Sequence, residues 1–281
     1  MACVLIPDTL EELLALRRRH PGALLLAGGT DLLVQRRGAA ADEAALLWIG
    51  KISELKGVRE EDDSLVIGAA TPLAAIIADP LVRRHAPLLV QALRTVGAPA
   101  IRNMATLGGN IITASPAGDS LPALYLMDAL LELTAGRETR RMPIATFITG
   151  PRRTALQPGE LLTRIRLPLG QAFTRQQVEK VGRRKALAIA VASLAAMARL
   201  SDDGRIDAIR LAWGSVGPTV MRFPELERRL IGARLDPEQI RDAVDSVRRG
   251  VAPIDDIRAP AEYRRRVAGN LLIRFLEGLN G

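Results

Sequence analysis

The stretch Leu24-Leu25-Leu26-Ala27-Gly28-Gly29-Thr30-Asp31-Leu32 reads as a short buried strand emptying into paired glycines, a hydroxyl and a carboxylate. Paired glycines let successive backbone N–H groups converge on an anion, because no Cβ blocks the approach. The pattern recurs at Ala105-Thr106-Leu107-Gly108-Gly109-Asn110, and Ser115-Pro116-Ala117-Gly118-Asp119 follows with a further hydroxyl and carboxylate. Two such loops predict a dinucleotide site, one loop on each side of a pyrophosphate. Neither has the form G-x-G-x-x-G or G-x-x-x-x-G-K-[ST], so Rossmann and P-loop readings lose their main support. A lone Gly-Gly after a strand is commonly a plain turn, and on these residues alone that reading stands beside the first.

Outward from the first loop, Thr9-Leu10-Glu11-Glu12 has capping-box form and opens a helix that His20-Pro21-Gly22 ends. Ala23–Ala27 and Leu46–Ile49 read as strands, with a short helix over 32–36 between them. A strand is expected over Leu65–Ala70. Thr71-Pro72 then supplies an N-cap and N1 proline for a helix through Ala78. Another helix should run from Pro87 to about Thr95. Gly97 to Asp119 reads as an irregular, glycine-rich connector, and loops of that length are commonly functional. A strand over Leu161–Leu167 ends at Pro168. Beyond it, Ser201-Asp202-Asp203-Gly204 joins two strand-like runs as a β-hairpin, and helices follow from Asp236 and Pro260. The C-terminal third is therefore α+β, a small antiparallel sheet covered by helices.

Composition narrows the function classes. The 281 residues are 48% hydrophobic and 25% charged, as in a globular chain and unlike disorder or a disulfide scaffold. Cys3 stands alone, so this chain builds no disulfide and no cysteine-bound zinc or iron–sulfur site. His20 and His85, in helix-end and loop contexts, read as structural or exposed. Any redox metal must come from a partner, and no metal ligands are assigned here. The net charge of +8 comes from arginine groups spread along the chain. With aromatics at 3%, they lack the patch and stacking platforms of a nucleic-acid binder and read as solvated helix faces. The N-terminus has no secretory character, and the longest apolar run, Ala186–Ala198, is too short for a membrane span. A cytoplasmic location is the expectation.

Taken together, Ala27-Gly28-Gly29-Thr30-Asp31, Ile101-Arg102-Asn103, Thr106-Leu107-Gly108-Gly109-Asn110 and Ala114 to Pro122 resemble the FAD-binding subunit of molybdenum hydroxylases. That group includes xanthine dehydrogenase and the medium subunit of carbon monoxide dehydrogenase. Gly159-Glu160-Leu161-Leu162, Lys180-Val181-Gly182-Arg183-Arg184 and Tyr263-Arg264-Arg265-Arg266-Val267-Ala268 extend the resemblance over nearly the whole chain. It implies an α+β fold: a vanillyl-alcohol-oxidase-type FAD domain over 1–170, in two α/β subdomains (about 1–58 and 59–170) with FAD between them. A small α+β C-terminal domain would occupy 171–281. Carried over by motif, Leu25, Leu26, Ala27, Gly28, Gly29, Thr30, Asp31 and Leu32 would line the pyrophosphate and ribityl region through backbone groups. Thr106, Leu107, Gly108, Gly109 and Asn110 would hold the pyrophosphate from the other side. Ser115 offers a hydroxyl near the same ligand. Asp119 would hydrogen-bond a cofactor hydroxyl, Leu162 would pack on the adenine or ribose side, and Lys180 would lie near the isoalloxazine. Val178 and Val96 stand where relatives often carry aromatics, so the resemblance implies a less covered flavin face there. On local sequence alone, Asp119 also reads as a helix N-cap and Lys180 as a solvated surface lysine.

The function implied is electron transfer. A molybdopterin-binding large subunit hydroxylates the substrate, a small subunit with [2Fe–2S] clusters passes electrons on, and FAD in this chain delivers them to NAD+ or another acceptor. No side-chain nucleophile or acid–base pair is required. Two alternatives are a self-contained flavin oxidoreductase, which would need a larger substrate domain, and a non-catalytic assembly or nucleic-acid-binding protein that has lost FAD.

Overall fold

The computed structural model describes residues 3–36, 44–170, 172–184 and 186–279. They divide into two compact units, neither continuous in sequence. The first comprises Met1–His85, Ala98–Thr113 and Ala129–Leu169; the second comprises Ala86–Gly97, Ala114–Asp128 and Gly170–Gly281.

In the first unit, Leu46–Trp48 lies between Val4–Leu5 and Leu24–Leu26 in a three-stranded sheet, parallel to both. The helix Leu10–Arg19 starts where expected, with the Thr9 hydroxyl accepting from the Glu12 N–H at 3.2 Å. Its Leu13 and Leu14 pack with Leu47, Ile52, Leu55 and Leu161 in one core. A five-stranded antiparallel sheet forms the other half, ordered Val58–Glu61, Ser64–Gly68, Leu161–Pro168, Leu130–Ala135, Glu138–Pro143. Arg166 on its central strand is 2% exposed and pairs with Glu61 at 2.7 Å and Glu132 at 3.3 Å. Arginine here is thus partly an interior residue, held because its fork finds several acceptors at once.

Two local expectations give way. The helix after Ser64–Gly68 begins at Leu73 with Pro72 in the N-cap position, and the Thr71 hydroxyl instead donates to the Gly68 carbonyl at 2.7 Å. The expected irregular connector over Gly97–Asp119 contains two helices, Pro99–Met104 and Leu107–Thr113. Gly108 and Gly109 argue against a helix by propensity. Packing overrides this: a Cβ at Gly108 would lie 2.6 Å from the Ala69 carbonyl oxygen.

The second unit is a four-stranded antiparallel sheet, Arg175–Gly182, Ala190–Leu200, Ile206–Gly214 and Met221–Arg222. The Ala-rich strand Ala190–Leu200 is buried on both faces over most of its length. Ala192, Leu194, Ala196 and Ala198 face a core with Trp213 and the helices Pro237–Gly250 and Ala261–Glu277. The opposite face receives the short helix Leu121–Leu126. Trp213 is fully buried, its indole N–H donating to the Ala268 carbonyl at 3.1 Å. No helix among the described residues is long and apolar enough to cross a membrane.

Candidate functional site

The expected site residues fall into both units. In the first, Leu24–Leu26 delivers the chain to Ala27–Asp31, and the short helix Leu32–Gln35 follows. Gly28 lies so close to the end of Pro99–Met104 that a Cβ there would sit 1.7 Å from the Met104 carbonyl oxygen. Gly29 has φ +70°, in the left-handed region that favours glycine. The structure therefore brings the two glycine loops together. Asp31 ties them again, its Oδ2 accepting from the Thr113 hydroxyl at 2.9 Å.

The two loops differ in what their backbones offer. In the second, the Leu107 N–H donates to the Thr71 carbonyl at 3.4 Å, Gly108 to Ala69 at 2.9 Å, and Asn110 to Thr106 at 3.0 Å. The Gly109 N–H donates to the Thr106 hydroxyl oxygen at 3.1 Å. Those donors are engaged inside the protein. In the first loop, the N–H groups of Gly28, Gly29, Thr30 and Asp31 have no acceptor among the described residues. Successive unengaged N–H groups on a glycine turn form an anion-binding concavity. A pyrophosphate fits the first loop by backbone. In the second, the N–H groups of Leu107 through Asn110 are turned into the protein, and the Thr106 hydroxyl is what the loop's side chains bring to the same turn.

Leu162 lies on the central strand Leu161–Pro168, opposite Leu133, and is 8% exposed. Hydrogen bonds link this strand to the second loop: Ala69 N–H donates to the Thr163 carbonyl at 2.9 Å, and the Ala69 carbonyl accepts from Gly108.

In the second unit, Lys180 is on the edge strand Arg175–Gly182 and Asp119 is in the turn before Leu121–Leu126. Their side chains meet at 2.6 Å, each 11% exposed. The Lys180 ammonium also donates to the Thr95 carbonyl at 3.0 Å, next to Val96. Lys180 is thus no solvated surface lysine. Nor is Asp119 an N-cap: Ser120 takes that position, without a side-chain cap bond. Burial pushes the Asp119 carboxyl up to about 6, with Lys180 opposing the rise. Its Oδ1 is buried and has no hydrogen-bond partner. An orphaned carboxylate oxygen fits a hydroxyl donor of a bound cofactor. The Ser115 hydroxyl accepts from the Ala117 N–H at 3.2 Å and shapes the same turn.

Sequence reasoning passed over Thr113, Thr95 and Gln91. Thr113 stands four residues after Gly109, a spacing with meaning only on a helix. Thr95 acts through its carbonyl, which leaves no side-chain signal. Gln91 holds the edge strand, its Oε1 accepting from the Val178 N–H at 3.0 Å.

Residues 1–170 match the family described as the FAD binding domain in molybdopterin dehydrogenase. The chain belongs to that family. Residues 178–279 match the CO dehydrogenase flavoprotein C-terminal domain. The xanthine dehydrogenase FAD-binding subunit of Escherichia coli O157:H7 is 35% identical over 91% of this chain and 88% of its own. The carbon monoxide dehydrogenase medium chain of Hydrogenophaga pseudoflava is 34% identical over 90% of this chain and 88% of its own. A solved structure of carbon monoxide dehydrogenase from Hydrogenophaga pseudoflava matches with a TM-score of 0.91 and 32% identity, covering 98% of this chain and 96% of that one. This flavoprotein is therefore an oxidoreductase component of the xanthine and carbon monoxide dehydrogenase type.

Proposed function

We propose that this chain is the electron-transferring medium subunit of a heteromeric molybdenum hydroxylase. A molybdopterin-binding large subunit hydroxylates the substrate, a small subunit with [2Fe–2S] clusters delivers electrons, and this chain passes them to NAD+ or another acceptor. The observation that carries the reading is the run of backbone N–H groups at Gly28–Asp31 with no acceptor among the described residues, in a chain whose family is defined by FAD binding. The names of the relatives, a medium chain and a FAD-binding subunit, support the assembly. The extents of the two matched segments favour a division near residue 170.

Bound FAD supplies a centre that takes up electrons singly and gives them up as a pair. The chain's own part is binding and electrostatics. The Gly28–Asp31 N–H groups hold the pyrophosphate, the stretch Leu25–Leu32 lines it and the ribityl chain, and Thr106–Asn110 approach through side chains. Leu162 offers an apolar contact to the adenine or ribose. Asp119 Oδ1 accepts a hydrogen bond from a cofactor hydroxyl, and Ser115 and Val96 line the same region of the second unit. The Lys180 ammonium has three protons, two of them committed to Asp119 and the Thr95 carbonyl. The third, with the positive charge, favours negative charge developing on the flavin.

An absorption spectrum of the purified chain, followed by acid release of the chromophore and iron analysis, tests the binding claim. Oxidised-flavin bands, released FAD and no iron are expected. A colourless protein that takes up no added FAD overturns the reading. For the acceptor, anaerobically reduced protein is mixed in turn with NAD+, a quinone and oxygen. Rapid return of the oxidised spectrum with NAD+ is expected, and failure with NAD+ alone assigns another acceptor.

A further inference from the structure

We propose that Arg264 is a positioning residue for the Asp119–Lys180 pair, acting through the backbone of Ser215 and Val191. The proposal rests on the reading of that pair as part of the FAD site. Arg264 lies in the Tyr263–Arg266 run to which nothing above gives a role. It is 4% exposed, whereas the side chain of its neighbour Arg265 is 40% exposed. Its Nη1 donates to the Val191 carbonyl at 2.8 Å and to the Ser215 carbonyl at 3.0 Å, and its Nη2 meets Asp256 Oδ1 at 2.6 Å. Asp256 is itself fixed by the Arg258 and Ala259 N–H groups at 2.8 and 3.2 Å. The arginine is not one of the solvated faces its sequence context suggests.

Each carbonyl leads to one member of the pair. Ser215 has φ +65°, a costly conformation for a residue with a Cβ. That conformation lets its carbonyl meet Arg264 while its N–H donates to the Pro116 carbonyl at 2.9 Å. Pro116 sits in the turn closed by the Gly118 N–H on the Ser115 carbonyl at 2.9 Å, and the turn ends at Asp119. The Ser215 hydroxyl is buried and unpartnered, so its backbone, not its side chain, makes this connection. On the other side, Val191 is the second residue of the strand Ala190–Leu200, whose next residues, Ala192 and Ser193, pair with Val181 and Lys180. A single planar fork thus fixes the turn that carries Asp119 and the strand that backs Lys180. Lysine offers no fork and cannot hold three acceptors in that geometry.

The test uses the full chain carrying Arg264→Lys, with Arg265→Ala as an exposed control. Folding is followed by circular dichroism and melting. The Asp119 carboxyl is titrated by carbon NMR in the FAD-free protein, assigned by its loss in Asp119→Asn, and FAD affinity is read by flavin fluorescence. For Arg264→Lys, the expected result is a retained fold, an Asp119 midpoint moved toward ordinary carboxylate values, and FAD binding weaker by about tenfold; R265A changes neither. A lower melting point with the Asp119 titration and FAD affinity unmoved overturns the proposal, since that is all a merely structural arginine would do. If R264K fails to fold, Asp256→Asn, which loosens the same fork while keeping its shape, is held to the same two readouts. A wild-type chain that binds no FAD removes the functional reading, yet the Asp119 titration still decides the brace.

Discussion

Gly28 and Gly29 are neighbours with different reasons to be glycine, and substitution separates them. At Gly28 the reason is close approach, since a Cβ would fall inside the Met104 carbonyl. G28A is expected to destabilise by about 3 kcal/mol or more, because backbone must move, and to abolish FAD uptake. At Gly29 the reason is φ +70°, so G29A is expected to cost only about 1 kcal/mol. Urea titrations of the two variants check the order. Asp119 gives a pH signature. A carboxyl raised from its ordinary value to about 6 binds its proton more tightly folded than unfolded. Its contribution to stability is therefore complete below about pH 4 and is lost as pH rises through about 6. D119N is expected to flatten unfolding free energy across that window. Lys180→Met strands the carboxylate and should cost about 3 kcal/mol at pH 7, and less at pH 4.5, where Asp119 is protonated. Unfolding measured at both pH values checks the difference.

At the scale of elements, stability and site geometry are carried by different features. The helix Pro237–Gly250 opens with a complete capping box, Asp236 accepting from the Glu238 and Gln239 N–H groups and Gln239 answering to the Asp236 N–H. D236A is expected to cost about 1 kcal/mol, with FAD affinity unchanged. Trp213 combines full burial with a hydrogen bond to the helix Ala261–Glu277 and an edge contact to Phe223, ring centroids 5.3 Å apart. W213A is expected to cost about 3–5 kcal/mol, and thermal melts rank the two variants. Elements with strong local signals were legible in the sequence: the Thr9 cap, the Asp236 cap, the hairpin around Asp203-Gly204 and the Leu161 strand all stand where their residues predict. The helix Leu107–Thr113 was not, because its Gly108 is set by contact with Ala69 rather than by helix propensity.

For the whole molecule, ligand linkage gives a direct measure. Free FAD at a hundred times its Kd is expected to stabilise the fold by about 2.7 kcal/mol, read as a concentration-dependent melting point; a melt indifferent to FAD counts against the site. Of the basic residues behind the net charge of +8, Arg166 and Arg264 are not solvated faces, since both are buried in ion pairs with named acids. What the sequence determined by itself was whatever depends on neighbours along the chain: caps, turns, strand runs, the two Gly-Gly loops, and through their combination the family. The tertiary structure alone decided that the loops abut at Gly28 and Met104, that the second turns its Leu107 to Asn110 N–H groups into the protein, and that Asp119 pairs with Lys180. It also decided that Arg264 is interior. Each is a contact between residues far apart in sequence. Hydrogen-bond satisfaction and desolvation depend on which groups the fold brings within about 3 Å, and a linear pattern holds no record of that.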